Sequence, residues 1–361
     1  MRRDVELSVR GRAALPAVVG EVLEACPFCG GASLIRKGTY RKTFETVQRW
    51  QCRTCRRTFL PVRAKGKHYP LKIILESLIV YYSGETRERT SAIIKERFGI
   101  AVPGRTLSSW LAEYRELTGY DRVRGAAQGV YSPKQLVRSV RLHHKQVYKY
   151  CVHRAKLAWI LGQEEYATVR PLGIYLAHMM TDCPHSLFAT DARASQGKAP
   201  FDIDAVAITA THNHACRLAH LVLQTVTVNK RRHDELQRFM LHVDAATVAV
   251  EVPIYLTPED IRHFREVAGF DVPLDDSNIL TGHIDIVQLR GGKIHILDYK
   301  PKAAKEKPIV QLMVYALALS RRMNLRLFDF VCAWFDEHDY FEFYPLHVVH
   351  KRRGLDAVRG R

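Results

Sequence analysis

One stretch, Gly282–Tyr315, constrains this chain more than any other. It reads GHIDIVQLRGGKIHILDYKPKAAKEKPIVQLMVY. Two apolar, β-branched runs flank Gly291-Gly292, a hairpin turn signal, so the segment is expected to pair as antiparallel strands. The first run carries Asp285 and the second Asp298. Lys300 follows Asp298 by two residues, which on a strand puts both side chains on one face. Two acids and a lysine converging at one end of a hairpin can hold Mg²⁺ and activate water, the equipment of a metal-dependent nuclease. A plainer reading stays open, with Asp285 a turn acid and Lys300 a charge guarding a sheet edge.

Charge is the part of the composition that bears on this choice. The 361 residues carry 55 Lys+Arg against 37 Asp+Glu, a net +18. That excess favours a polyanionic partner, most simply nucleic acid, although a merely basic soluble protein fits it too. The length suggests two or three domains. The N-terminus lacks the apolar run of a signal peptide, and no window is apolar enough to span a membrane. Of eight cysteines, four are paired by spacing and four are scattered, a pattern of a reducing compartment with a metal site. The expectation is a cytoplasmic, nucleoid-associated protein with no membrane partner.

Cys26-Pro-Phe-Cys29 and Cys52-Arg-Thr-Cys55 form two knuckles 22 residues apart. Each puts two thiolates on a tight turn, and together they complete a closed tetrahedral, structural Zn²⁺ site. Arg53, Arg56 and Arg57 decorate the second knuckle, interleaved along the ribbon with Tyr40, Phe44, Trp50 and Phe59. The arginines suit DNA phosphates, whereas most of the aromatics suit a small ribbon core. The run CPFCG followed by RKGTYRKTFETVQRWQCRTCRRTF resembles the zinc ribbon that opens many insertion-sequence transposases.

Residues 70–118 read as three helices. Gly99 ends the second, and a turn through Pro103-Gly104 feeds the third, from Arg105. In a helix-turn-helix the third helix enters the major groove, with Arg105, Thr106, Ser108 and Ser109 reaching phosphates or base edges. An ordinary helical hairpin has the same periodicity. YYSGETRERTSAIIKERFGIAVPGRTLSSWL is similar to the helix-turn-helix that follows the ribbon in those transposases.

Residues 120–162 are basic and expected to be helical. A cluster of His143, His144 and His153 could bind metal, but no cysteine or carboxylate recurs at ligand spacing, and a solvated or DNA-facing helix is the favoured reading. Cys183-Pro184-His185 is too short a motif to define a metal site, and residues 181–200 read as a loop.

From there the order is helix, strand (Thr247–Leu256), strand (Thr281–Arg290), strand (Lys293–Lys300), helix (Pro308–Arg322) and strands, an α/β core with a mixed sheet. This order, with VEVPIY (Glu251), GHIDI (Asp285), LDYKP (Asp298, Lys300) and QLMVY (Gln311, Tyr315), resembles the PD-(D/E)XK nuclease superfamily and, within it, the RecB-like branch. The resemblance implies a restriction-endonuclease-like core. It implies catalytic Mg²⁺ or Mn²⁺ on Asp285, Asp298 and the Tyr299 carbonyl. Lys300 would orient or deprotonate the attacking water, its pKa depressed by burial beside the metal, and Glu251 would hold a second metal or position Lys300. In that branch an upstream helix supplies a histidine: His233 fits best, and His242 is the rival. Gln311 and Tyr315 are accessory. Only Cys332 follows the lysine motif, so no iron–sulfur cluster is expected. Cys151, Cys183, Cys216 and Cys332 then count as ordinary buried thiols.

The expected domains are a ribbon over 22–65, a helix-turn-helix over 68–120, a helical connector and loop over 121–200, and the nuclease over 201–350. The expected function is DNA cleavage directed by the N-terminal half, in a mobile-element, repair or defence setting. Two alternatives are a DNA-binding regulator with an inactive nuclease fold, and a subunit active only with a transposase or partner nuclease. A homodimer is also compatible.

Overall fold

The computed structural model describes residues 25–60, 68–119, 124–125, 129–189, 193–194, 201, 208–210, 213–226, 228–270 and 272–350. The N-terminal arm and the basic tail after His350 lie outside them. The chain divides into two compact units: Met1–Glu116 with Gln224–Thr227, and Leu117–Leu223 with Val228–Arg361.

The first unit joins a three-stranded antiparallel ribbon to three helices. Strands β1 (Leu34–Arg41), β2 (Thr46–Cys52) and β3 (Thr58–Phe59) pair in sequence order. Helices α1 (Leu71–Tyr82), α2 (Arg87–Phe98) and α3 (Gly104–Glu113) follow. Thr86 caps α2 by accepting from the Arg89 amide, and Gly99 closes it at φ 70°, a conformation glycine adopts without steric cost. Ile73, Ile74, Ile94, Leu107 and Trp110 form the core between the helices. Phe44 of the ribbon stacks on Tyr69 at 4.9 Å, and Tyr69 meets Trp110 edge-on at 5.1 Å. Phe44 and the buried Trp50 therefore serve packing.

The second unit is an eight-stranded mixed sheet flanked by helices, the architecture expected of a PD-(D/E)XK core. Its elements are β4 (Val137–His144), β5 (Gln146–His153), α4 (Arg154–Leu161), α5 (Pro171–Thr181), β6 (Thr209–Ala210), α6 (His214–Leu223), α7 (Arg232–Val243), β7 (Thr247–Leu256), α8 (Pro258–Glu266), β8 (Leu280–Arg290), β9 (Lys293–Tyr299), α9 (Ile309–Met323), β10 (Phe330–Phe335) and β11 (Tyr340–Phe343). The strand order is β4-β5-β7-β8-β9-β10-β11-β6. Only β9 and β10 run parallel, joined by α9; the other neighbours are antiparallel. Helix α9 is apolar nearly all round, with eleven buried residues from Ile309 to Met323, because it lies inside the main core.

Of the basic stretch expected to be helical, Pro133–Leu136 and Arg154–Leu161 are helices, but 137–153 is instead the β4–β5 hairpin. It extends the sheet beside β7 through Cys151↔Val250 and Val152↔Ala249. Lys145 turns the hairpin at φ 64°. His144 and His153 are buried, not solvated. The His153 ring accepts from the Lys156 amide and caps α4.

Candidate active site

Register puts three acids in one row across three strands. Val250↔Ile286 and Val252↔Ile284 flank the position where Glu251 faces Asp285. The β8–β9 pairing closes with Ile286↔Leu297, so the next residues outward are Asp285 and Asp298. Side chains in such a row share one face of the sheet, with neighbouring strands ~4.8 Å apart. Beyond Leu297, β9 turns its pairing to β10, with Asp298 opposite Trp334. The Tyr299 amide then donates to Asp285 Oδ2 at 3.1 Å.

Glu251 sits at φ 53° in the middle of β7, just after a bulge between Thr247 and Ala249. A left-handed non-glycine residue inside a strand costs roughly 1–3 kcal/mol and persists only where its surroundings hold it. Gln237 supplies that hold, donating to Glu251 Oε1 at 2.7 Å. Lys300 Nζ lies 2.8 Å from Asp298 Oδ2 as an ion pair. Gln311 Nε2 donates to Asp298 Oδ1 at 3.2 Å and to the Tyr315 hydroxyl at 2.8 Å. Gln311 and Tyr315 are one turn apart on α9 and so reach down the same face. Gly282 makes room for them: a Cβ there would lie 2.5 Å from Tyr315 Cε1.

Charge crowding is the dominant electrostatic fact. Burial, then Asp285, pushes Glu251 up to about 8. The same two causes push Asp298 up to about 7, against the opposing pull of Lys300. Oδ2 of Asp298 is buried and accepts no geometrically sound hydrogen bond among the described residues. Carboxylates forced together by burial are a fit for a hard divalent cation. Lys300 is pulled both ways. Burial does pull it down, but Asp298 and Asp285 outweigh burial and hold it above the ordinary lysine range.

Of the two candidate histidines, His233 is the one beside the acids. His233 Nδ1 is 3.4 Å from Asp285 Oδ2. Burial pulls His233 down, but Asp285 and Asp298 hold it above its usual value. His242 is nine residues on, half a turn out of phase, and its charge is felt by His153. Gln237, which the sequence reading missed, is one turn after His233 on the same face of α7. That i, i+4 spacing was the available signal. Tyr299 presents its amide to the site, and its hydroxyl accepts from Arg232 and donates to Glu337.

A cavity of about 180 Å³ opens beside Glu251 and Asp285 and is also lined by His144, Tyr148, Arg193 and His283. Residues 192–329 match the family model of the PD-(D/E)XK nuclease superfamily. The matched segment contains His233, Glu251, Asp285, Asp298, Lys300, Gln311 and Tyr315, and it leaves out the β4–β5 hairpin. No curated protein and no solved structure gives a significant match.

In the first unit, Cys26, Cys29, Cys52 and Cys55 place their sulfurs within 4.8 Å of one another. Cys26 and Cys55 are 3.6 Å apart, and Cys29 and Cys52 3.7 Å. These distances are far too long for disulfides, but a tetrahedron with ~2.3 Å metal–sulfur bonds has edges near them. Arg53, Arg56, Arg57, Arg105 and Ser109 are exposed, and Thr106 and Ser108 half-buried. Ser108 is already engaged, donating to the Gly104 carbonyl and accepting from Arg87. The Arg57 guanidinium covers the Phe28 ring at 5.1 Å.

Of the scattered cysteines, Cys151, Cys216 and Cys332 are buried thiols as expected, and Cys332 lies wholly within the main core. Cys183 is a buried thiol too, but it stands in a cluster with His144 and His185.

Proposed function

We propose that the second unit is a divalent-metal-dependent deoxyribonuclease of the RecB-like kind, directed to DNA by the first. The observation that carries this reading is the row Glu251–Asp285–Asp298 with Lys300 Nζ 2.8 Å from Asp298. Asp285, Asp298, the Tyr299 carbonyl and His233 would hold Mg²⁺ or Mn²⁺, with Glu251 a further acid at its edge. When bound, such an ion polarises the scissile phosphate and the attacking water. Lys300 is poised to orient that water. With the charge of Asp298 and Asp285 compensated, Lys300 would hold its proton less tightly and could serve as a base. Gln311 and Tyr315 fix the rotamer of Asp298, and Gln237 fixes Glu251.

The ribbon would be a structural zinc module, since four thiolates leave no open position. Arg105, Thr106, Ser108 and Ser109 of α3, with Arg53, Arg56 and Arg57, would meet the duplex as a helix-turn-helix and basic ribbon do. The likeness to insertion-sequence transposases supports a mobile-element, repair or defence setting. No helix of the described residues is long and apolar enough to cross a membrane. The test is cleavage of supercoiled, linear and single-stranded DNA with Mg²⁺ or Mn²⁺. Loss of all cleavage in Asp298→Ala with DNA binding kept supports the reading. A wild type that cuts none of the three with either metal overturns it in favour of a DNA-binding regulator.

A further inference from the structure

The β4–β5 hairpin carries a feature that the nuclease chemistry does not use. His144, at the end of β4, points one ring nitrogen at each of two other histidines. Its Nδ1 is 2.9 Å from His283 Nε2, and its Nε2 is 2.9 Å from His185 Nδ1. Cys183 completes a group whose ligand atoms, one each from His144, Cys183 and His185, all lie within 4.8 Å of one another. The turn Cys183-Pro184-His185 brings its two members together, the His185 amide donating to the Cys183 carbonyl at 2.8 Å. Two rings are clamped by stacking: Phe188 on His144 at 3.9 Å and Tyr148 on His283 at 3.6 Å, both within 10° of parallel.

We propose that His144, Cys183 and His185 form a second metal site, selective for a borderline-soft ion such as Zn²⁺. One thiolate and two imidazoles are a donor set that prefers zinc to magnesium. The contact with His283 has the form that orients metal-ligating histidines. It occupies Nδ1 of His144; in the tautomer protonated there, Nε2 carries the lone pair, facing His185 Nδ1 across 2.9 Å. A tetrahedral zinc needs its nitrogens ~3.3 Å apart, so the His144–His185 pair, now at 2.9 Å, opens by a few tenths of an ångström when the ion enters. His185 is exposed on its turn and free to make that shift. Burial keeps His144 neutral, pushing it down to about 4, which suits a ligand. Three protein ligands leave one position for water or a substrate oxygen. His144 lines the same cavity as Glu251 and Asp285, so the ion would sit next to the hard-metal centre without sharing its donors.

The test counts zinc and does not depend on cleavage. The full chain carrying Asp285→Asn and Asp298→Asn, which removes the carboxylate site from the count, is loaded with Zn²⁺, gel-filtered and analysed by mass spectrometry of the metal. Two zinc ions per chain are expected, one in the ribbon and one here. Cys183→Ser or His185→Ala should each leave one. Because His185 is exposed, His185→Ala keeps the fold even if Cys183→Ser does not, and thermal melting checks this. In Co²⁺-substituted protein, either change should remove the spectral component of a mixed nitrogen–sulfur site and keep that of the four-thiolate ribbon. One zinc ion in the starting protein, or two retained in His185→Ala, overturns the proposal and leaves the three rings as a hydrogen-bonded chain.

Discussion

Gly282→Ala probes the site through packing alone. The backbone there is ordinary strand, so alanine brings no conformational penalty, only a methyl carbon 2.5 Å from Tyr315 Cε1 and 3.1 Å from its hydroxyl. Normal carbon–carbon contact is ~3.5–4.0 Å, so the ring must retreat by about 1 Å. Tyr315 is only 3% exposed, and the space it can retreat into is the cavity that it lines beside Glu251 and Asp285. Overpacking of this kind costs about 1–3 kcal/mol, or roughly 2–10 °C of melting temperature in a unit of this size. The functional loss should be larger. Tyr315 accepts from Gln311, and Gln311 holds Asp298, so a displaced ring loosens a catalytic acid. An error near 1 Å at a reacting group costs about 10²-fold in rate. The assay is a double-mutant cycle with Tyr315→Leu, read by thermal melting and by single-turnover cleavage. In the Tyr315→Leu background, Gly282→Ala should cost at least about 1 kcal/mol less than in wild type, while cleavage stays low. A Gly282→Ala protein that melts and cleaves like wild type refutes the packing chain from Gly282 to Asp298.

Three further outcomes follow from the site and the ribbon. Glu251 and Asp298 have folded pKa values, about 8 and about 7, above those of the unfolded chain. Their stabilising contribution is therefore full below about pH 4 and lost as pH rises through 7–8, so metal-free protein should melt progressively lower across that window. Asp298→Asn should flatten the decline, and Mg²⁺ should raise the melting temperature of wild type most at the alkaline end. His233→Ala should raise the Mg²⁺ concentration needed for half-maximal cleavage by about tenfold or more, whereas His242→Ala should leave it unchanged, as metal titration of the two variants will show. Arg105→Ala should weaken DNA binding evenly across sequences and lower the slope of log affinity against log salt by ~1, and chelating the ribbon metal should abolish that binding.

The acid row was legible because β-sheet chemistry writes it locally. Gly291 and Gly292 take φ 52° and 67° as a tight hairpin turn requires, and the β-branched runs beside them fix the pairing. Asp298 and Lys300 then share a face by alternation alone. The β4–β5 hairpin was not legible for the converse reason. Its turn is made by Lys145 in the left-handed region, where no glycine or asparagine announces it, and its exposed face is crowded with basic residues that suit a solvated helix equally well. The cluster of His144, Cys183 and His185 depends on that hairpin, since its ends are 41 positions apart and sheet pairing beside β7 brings them together. The strain at Glu251 also had no sequence signal, because nothing in VEVPIY marks a left-handed residue in mid-strand.

The central claim is that Asp285, Asp298 and Lys300 cut DNA that the first unit binds. Its most direct measurement is single-turnover cleavage of a plasmid by wild type and Asp298→Ala at matched DNA occupancy, titrated with Mg²⁺ and Mn²⁺. The account predicts metal-dependent strand scission by wild type and none by Asp298→Ala, with the two proteins binding DNA equally. Equal cleavage by both proteins, or metal-independent cleavage by wild type, would contradict it.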